Sequence, residues 1–133
     1  MRGDLFKMVE NNLEDKINDT HSNSSCLAVI ISGSDSDKEH INKITASLEK
    51  YFIPYQVRIC SAHKQPEKLM QIIEDYNKNN TSIAYISVAG GTDALSGMLS
   101  YHALAPVISC PPDGFNQSCL TNPAGSSNAF IAK

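Results

Sequence analysis

Four consecutive residues, Ser61-Ala62-His63-Lys64, place a titratable imidazole beside a permanent positive charge. Histidine is the side chain best suited to moving a proton near neutral pH, and a lysine ammonium can hold a phosphate as a point charge. The alternative is a surface histidine and lysine that merely precede a helix. We expect His63 to carry proton transfer if other polar loops of the chain meet it.

A second polar loop, Gly33-Ser34-Asp35-Ser36-Asp37, follows an apolar run. It combines a flexible glycine, two hydroxyls and the backbone N–H groups of a helix start, which suits a phosphate group. Asp37 can accept hydrogen bonds from ribose hydroxyls. The same residues are also those favoured in an ordinary helix N-cap, so the loop taken alone leaves both interpretations open.

Two further loops have the composition of a pocket wall. Ala89–Gly97 contains Gly90 and Gly91, and glycine lets the backbone approach a ligand closely; here too Thr92 or Asp93 can be a simple helix cap. The stretch Ile108-Ser109-Cys110-Pro111-Pro112 reads as a rigid exit from a strand.

Hydrophobic patterning supplies the elements that position these loops. Continuous or alternating apolar runs predict strands, and apolar residues three and four apart predict helices. The strands are expected at 27–31, 55–60, 82–88, 106–109 and 128–131, and the helices at 37–51, from Pro66 onward and at 93–102. On the helix at 37–51 the inner face would hold Ile41, Ile44, Leu48 and Phe52, and on the helix from Pro66 it would hold Leu69, Ile72, Ile73 and Tyr76.

Strands that alternate with helices predict a three-layer α/β/α sandwich with a parallel, flavodoxin-like sheet. Ligands of such sheets bind beyond the carboxyl ends of the strands. All four polar loops follow strands in this sequence. We therefore expect them to converge on one site.

Composition limits the classes of function. The chain has 133 residues, 41% hydrophobic and 19% charged, with a formal net charge of −3, which favours one folded domain and gives no electrostatic reason to expect nucleic acid. It contains no apolar run long enough to span a membrane and no signal peptide, so a cytoplasmic location is expected. The four cysteines form no CxxC pair, which argues against a metal or redox motif. Residues 1–25 are polar and read as a tail or linker, with a weak helix possible at 4–17.

The order and spacing of the four loops resemble one family, the aminoimidazole ribonucleotide carboxylases and the related N-carboxyaminoimidazole ribonucleotide mutases of purine biosynthesis. The resemblance covers residues 27–133, and so makes 26–133 the family domain. It implies that His63 transfers the proton, and that no metal or organic cofactor is needed. It also implies a set of substrate-binding positions: Gly33, Ser34, Ser36, Asp37, Ser61, Ala62, Lys64, Gly90, Gly91, Ala94 and Leu95.

The family has two branches, and the sequence is more similar to the direct carboxylases, which are lyases. In the mutases an arginine usually follows the histidine of the second loop, and the glycine loop carries its own histidine; here Lys64 and Ala94 stand at those positions. Gly91 and Asp93 depart from the carboxylase pattern, which has arginine and asparagine there. The mutase reaction remains the alternative.

Relatives form homo-octamers and continue into a long terminal helix, whereas this sequence stops at Lys133. From the sequence we expect a domain without that C-terminal helix, which is truncated or part of a fusion and assembles poorly. The alternative from another class is a non-catalytic nucleotide-binding fragment. Apart from aminoimidazole ribonucleotide and carbon dioxide, no partner is expected, neither nucleic acid nor membrane.

Overall fold

The computed structural model describes residues 26–79, 81–90, 94–112 and 129–130. Strands and helices alternate along this part of the chain. Their bounds are β1 Cys26–Ser32, α1 Lys38–Lys50, β2 Tyr55–Ile59, α2 Pro66–Asn77, β3 Ser82–Val88, α3 Ala94–His102, β4 Val107–Ser109 and β5 Ala129–Phe130, with a 3₁₀ turn at Asp35–Asp37 before α1. The predicted elements are thus present with ends that shift by one or two residues. The expected tail at 1–25, with its possible helix at 4–17, lies outside the described residues.

The five strands form one parallel sheet in the order β2-β1-β3-β4-β5. This is the flavodoxin-like order, and it confirms the predicted sheet. The longest pairing joins β1 to β3, from Cys26 opposite Ser82 to Ser32 opposite Val88. The direction of strand addition reverses at β1, since β2 lies on one side of it and β3 on the other.

Helices cover both faces of the sheet, which confirms the three-layer sandwich. Right-handed crossovers put helices on opposite faces when strands are added on opposite sides of β1. Accordingly α1 packs through Ile41 on one face, against Ile30 and Val57, while α2 and α3 pack on the other through residues such as Leu69 and Leu99. The predicted inner face of α2 is buried at all four positions.

One predicted core residue lies elsewhere. We expected Phe52 to continue the buried face of α1, but the helix ends at Lys50, and Phe52 is 76% exposed with a φ of 56°. The amide of Ile53 donates to the carbonyl of Leu48 at 2.9 Å and the amide of Phe52 to that of Glu49 at 3.1 Å, which is the Schellman pattern. Because the chain reverses there in a left-handed conformation, the Phe52 side chain faces solvent.

Candidate functional site

Backbone hydrogen bonds tie the loops together at the carboxyl edge of the sheet. The Gly33 amide donates to the carbonyl of Val88 at 3.1 Å, and the Cys60 amide to that of Ser32 at 2.8 Å. The Cys110 amide donates to Ser87 O at 2.9 Å. The four polar loops therefore leave the sheet side by side, as neighbouring strand ends require, but among the described residues only the first three loops contribute to the cleft described below.

Ser34 organises the first loop. Its Oγ accepts the Ser36 amide at 3.1 Å and lies 2.8 Å from Ser36 Oγ, so Ser34 is the N-cap of the 3₁₀ turn. Behind it, the buried Ser32 donates from its Oγ to Ser34 O at 2.9 Å. The N-cap interpretation of this loop is thus correct for Ser34, which also lines the cleft described below.

Asp37 immediately precedes α1, where an aspartate commonly caps the helix. Its side chain makes no capping hydrogen bond, although its backbone stands at the N-cap position. The residue is half-buried and lies on the cleft wall. Because the fold does not use this carboxylate for capping, it can accept hydrogen bonds from a ligand.

The second loop is a closed turn. The Gln65 amide donates to Ser61 O at 2.9 Å, and the Lys64 amide donates to Ser61 Oγ at 3.2 Å. Between these anchors Ala62 is half-buried and packs on the core, while His63 is exposed and lines the cleft described below. These two hydrogen bonds to Ser61 close the turn that carries the imidazole.

The third wall comes from the end of β3 and the start of α3. Ala89 and Gly90 follow the strand, and Ala94 and Leu95 begin the helix. Leu95 is 2% exposed and belongs to the core beneath α3, so it fixes the floor of the site. The first N–H groups of a helix have no partner within the helix, and they present the positive end of its dipole to a ligand.

These walls enclose a cleft of about 170 Å³ at the point where the strand order reverses, which is where ligands bind in this sheet type. The residues that line it are Gly33, Ser34, Asp37, Ser61, Ala62, His63, Ala89, Gly90, Ala94 and Leu95. A Cβ built on Gly33 or Gly90 meets no atom within 4 Å. Packing within the fold therefore does not demand glycine at either position, and the space in front of them is open.

Among the described residues, two predicted site residues are not on this wall. Ser36 and Lys64 are exposed beside it, next to Ser34 and His63 respectively. Gly91 lies outside the described residues, as do Thr92 and Asp93. Ala89 lines the cleft but was not among the predicted positions, although its place directly before Gly90 could have indicated it.

Sequence reasoning also missed His40. Its ring Nε2 lies 3.1 Å from the carbonyl oxygen of Cys110 and 3.7 Å from the Cys110 thiol. A histidine in the first turn of a predicted helix carries no signal of such a contact, because its partner lies 70 residues away.

Within the described ranges, no group of three or more His, Cys, Asp or Glu side chains could hold a metal ion. Cys26, Cys60 and Cys110 form no disulfide with one another. Cys119 lies outside those ranges. None of the described helices is long and apolar enough to cross a membrane.

Comparison with known proteins identifies the family. The sequence profile of AIR carboxylase matches residues 27–124. The chain belongs to the AIR carboxylase family of purine biosynthesis.

Relatives carry the names of both branches. A phosphoribosylaminoimidazole carboxylase of Archaeoglobus fulgidus is 44% identical over 85 residues, which are 64% of this chain and 46% of that protein. One from Treponema denticola is 36% identical over 111 residues, 79% of this chain and 70% of that protein. An N5-carboxyaminoimidazole ribonucleotide mutase of Haemophilus influenzae is 36% identical over 90 residues, 68% of this chain and 54% of that protein.

The chain spans only part of several relatives, including 21% of the rat bifunctional carboxylase/succinocarboxamide synthetase. Among solved structures, that of Treponema denticola PurE superposes with a TM-score of 0.75 at 35% identity. The match covers 80% of this chain and 71% of that one, and it agrees with the α/β fold described above.

Proposed function

We propose that this chain carboxylates 5-aminoimidazole ribonucleotide to 4-carboxy-5-aminoimidazole ribonucleotide. The observation that carries the proposal is that His63, on its closed turn, lines the same cleft as Ser34 and Asp37. A proton carrier thus faces groups suited to a ribose phosphate.

Binding would divide between the two sides of the cleft. The phosphate is held by the Gly33–Ser34 loop, with Ser36 supporting Ser34, and by the backbone N–H groups at the start of the 3₁₀ turn. Asp37 accepts from the ribose hydroxyls. The second loop completes the binding of the ribose phosphate through Ser61, Ala62 and Lys64. The base is enclosed by Gly90, Gly91, Ala94 and Leu95.

The proposed reaction requires the protein to transfer one proton. The electron-rich ring carbon of the substrate attacks carbon dioxide, which forms the new carbon–carbon bond and leaves the ring carbon with a proton to lose. His63 accepts that proton, and the ring regains its aromaticity. In reverse the imidazolium returns the proton to the same carbon and carbon dioxide leaves, so one residue serves both directions. The walls of the cleft hold carbon dioxide beside the ring and so raise its effective concentration there.

Two positions favour the carboxylase over the mutase branch. Ala94 lines the cleft where mutases carry a second histidine, so no second imidazole enters from the start of α3. Lys64 offers a point charge where mutases use the two-pronged guanidinium of arginine. The mutase reaction is the second candidate, and the 36% identity with the Haemophilus influenzae mutase supports it.

The deciding experiment supplies each substrate separately to the purified protein. Aminoimidazole ribonucleotide is given with elevated bicarbonate, and the N-carboxylated compound is given by rapid mixing because it decays to aminoimidazole ribonucleotide by itself. We expect turnover with the first substrate alone. Turnover confined to the N-carboxylated compound would assign the mutase reaction, and turnover of neither would indicate a non-catalytic nucleotide-binding protein.

On the strength of the family resemblance, the proposal extends to a cytoplasmic location and, as expected from the sequence, to weaker self-association than in the octameric relatives. Tyr101 and Leu104, each 84% exposed near the end of α3, are large apolar side chains that association would cover. Light scattering of the purified chain tests this part, and a stable octamer would contradict it.

A further inference from the structure

His40 connects two segments that lie far apart in the sequence. It is the third residue of α1 and half-buried, and its Nε2 lies 3.1 Å from the carbonyl oxygen of Cys110. A carbonyl oxygen can only accept, so the hydrogen resides on Nε2 and the imidazole donates. Both the neutral ring in this tautomer and the imidazolium carry that hydrogen.

The hydrogen bond between His40 and Cys110 completes a ring of hydrogen-bonded segments around the end of β3. On one side, the Gly33 amide donates to Val88 O at 3.1 Å; on the other, the Cys110 amide donates to Ser87 O at 2.9 Å. The chain from Gly33 to His40 contains Ser34, the 3₁₀ turn and the first turn of α1. The loop that lines the cleft is thus anchored to β3 before Ser34 and, through His40 and Cys110, after Asp37.

We propose that His40 is a positioning residue, which holds the Ser34–Asp37 loop in the conformation that binds the ribonucleotide. This inference rests on the proposed function for the identity of the ligand. His40 is not among the residues that line the cleft, and its Nε2 is engaged with Cys110, so it acts through the loop and not on the reacting atoms. Its loss should weaken substrate binding and leave proton transfer by His63 intact.

The test compares two substitutions of His40 in the full chain, glutamine and asparagine, whose side-chain amides differ in distance from the backbone. The amide nitrogen of His40→Gln can occupy the place of Nε2, whereas the shorter side chain of His40→Asn cannot. Asn42→Ala, which changes an exposed residue of the same helix, is the matched control. Amide exchange at Gly33 and Cys110 reports on the anchors, exchange at Ile30 reports on the global fold, and calorimetry gives the Kd for aminoimidazole ribonucleotide.

We expect His40→Asn to speed exchange at Gly33 and Cys110 about five-fold and to raise the Kd about five-fold, the factor that one ordinary hydrogen bond contributes. Exchange at Ile30, kcat at saturation and the pH profile of kcat should stay as in the wild type. His40→Gln and Asn42→Ala should match the wild type in every measurement.

Unchanged exchange at Gly33 and Cys110 in His40→Asn would overturn the proposed anchor. Faster exchange with an unchanged Kd would overturn its role in binding, and failure of His40→Gln to restore both would exclude the hydrogen bond as the cause. Calorimetry and exchange need no turnover, so absence of carboxylation in the wild type would count against the proposed function while these measurements still decide the role of His40.

Discussion

The amide of Cys60 donates to the carbonyl of Ser32 at 2.8 Å, where β2 and β1 both end. This bond sets the two loops that follow these strands at a fixed separation. One loop carries Ser34 and Asp37, and the other carries His63. The proposed proton carrier and the proposed ribose phosphate site are therefore brought together by the register of two neighbouring strands.

Replacement of His63 by asparagine should lower turnover by at least about 100-fold, the effect typical of a removed general acid–base group. Folding and nucleotide affinity should be retained, because His63 is exposed and the hydrogen bonds of its turn come from Ser61, Lys64 and Gln65. Steady-state kinetics and calorimetry with aminoimidazole ribonucleotide measure the two effects. Turnover close to that of the wild type would remove His63 from its proposed role.

Ser36→Asp should weaken substrate binding by about five-fold or more. The new carboxylate would stand next to Ser34 Oγ, which lies 2.8 Å from Ser36 Oγ, and would repel a phosphate while it competes for the N–H groups of the turn. Ser47→Asp, on an exposed position of α1, adds the same charge away from the cleft and is the control. Equal affinities of the two variants by calorimetry would put the phosphate elsewhere.

Phe52→Gly should raise the free energy of unfolding by up to about 1 kcal/mol. Glycine adopts the left-handed conformation of this position without the steric cost that a phenylalanine bears, although its freedom in the unfolded chain offsets part of the gain. Little burial is lost, since Phe52 is 76% exposed. Tyr51→Gly, at a φ of −102°, should instead be destabilising by about 0.5–1 kcal/mol. Urea denaturation distinguishes these outcomes, and a loss of stability in Phe52→Gly would contradict the prediction.

Stability should fall above pH 10 because two tyrosines ionise less readily in the fold. Burial raises the pKa of Tyr55 to about 12, assisted by its hydrogen bond to Glu49, and burial with the neighbouring Tyr76 raises the pKa of Tyr85 to about 12. A raised pKa favours the neutral folded form. Its contribution is complete below the ordinary pKa of 10.0 and is lost as pH rises from there through 12. Denaturation midpoints across this window check the slope.

Tyr55→Phe and Tyr85→Phe should each reduce the loss of stability above pH 10, but their effects on stability at neutral pH should differ. Tyr55→Phe removes the 2.6 Å hydrogen bond from Tyr55 Oη to Glu49 and should cost about 1 kcal/mol. Tyr85 Oη is buried and has no hydrogen-bond partner within the part of the chain described, so Tyr85→Phe should be neutral or stabilising. An alkaline slope unchanged in both variants would assign the pH dependence to other groups.

Local sequence patterns were sufficient to predict the helices and strands. The spacing of Leu69, Ile72, Ile73 and Tyr76 predicted the buried face of α2, and all four are buried. Pro66, which cannot donate an N–H, marked the start of that helix. Such patterns failed at Phe52, because the apolar spacing continued past Lys50 while the backbone reversed before Pro54.

The alternation of strands and helices and the position of the polar loops at strand ends followed from local patterns, because hydrophobic period and turn chemistry act over a few residues. Which loop residues line the cleft was evident only from the three-dimensional arrangement of the chain: Ala89 lines it, whereas Ser36 and Lys64 lie beside it. It alone joined His40 to Cys110. These relationships depend on strand register and on the face that each helix covers, and contacts between residues so far apart leave no periodic trace in the sequence.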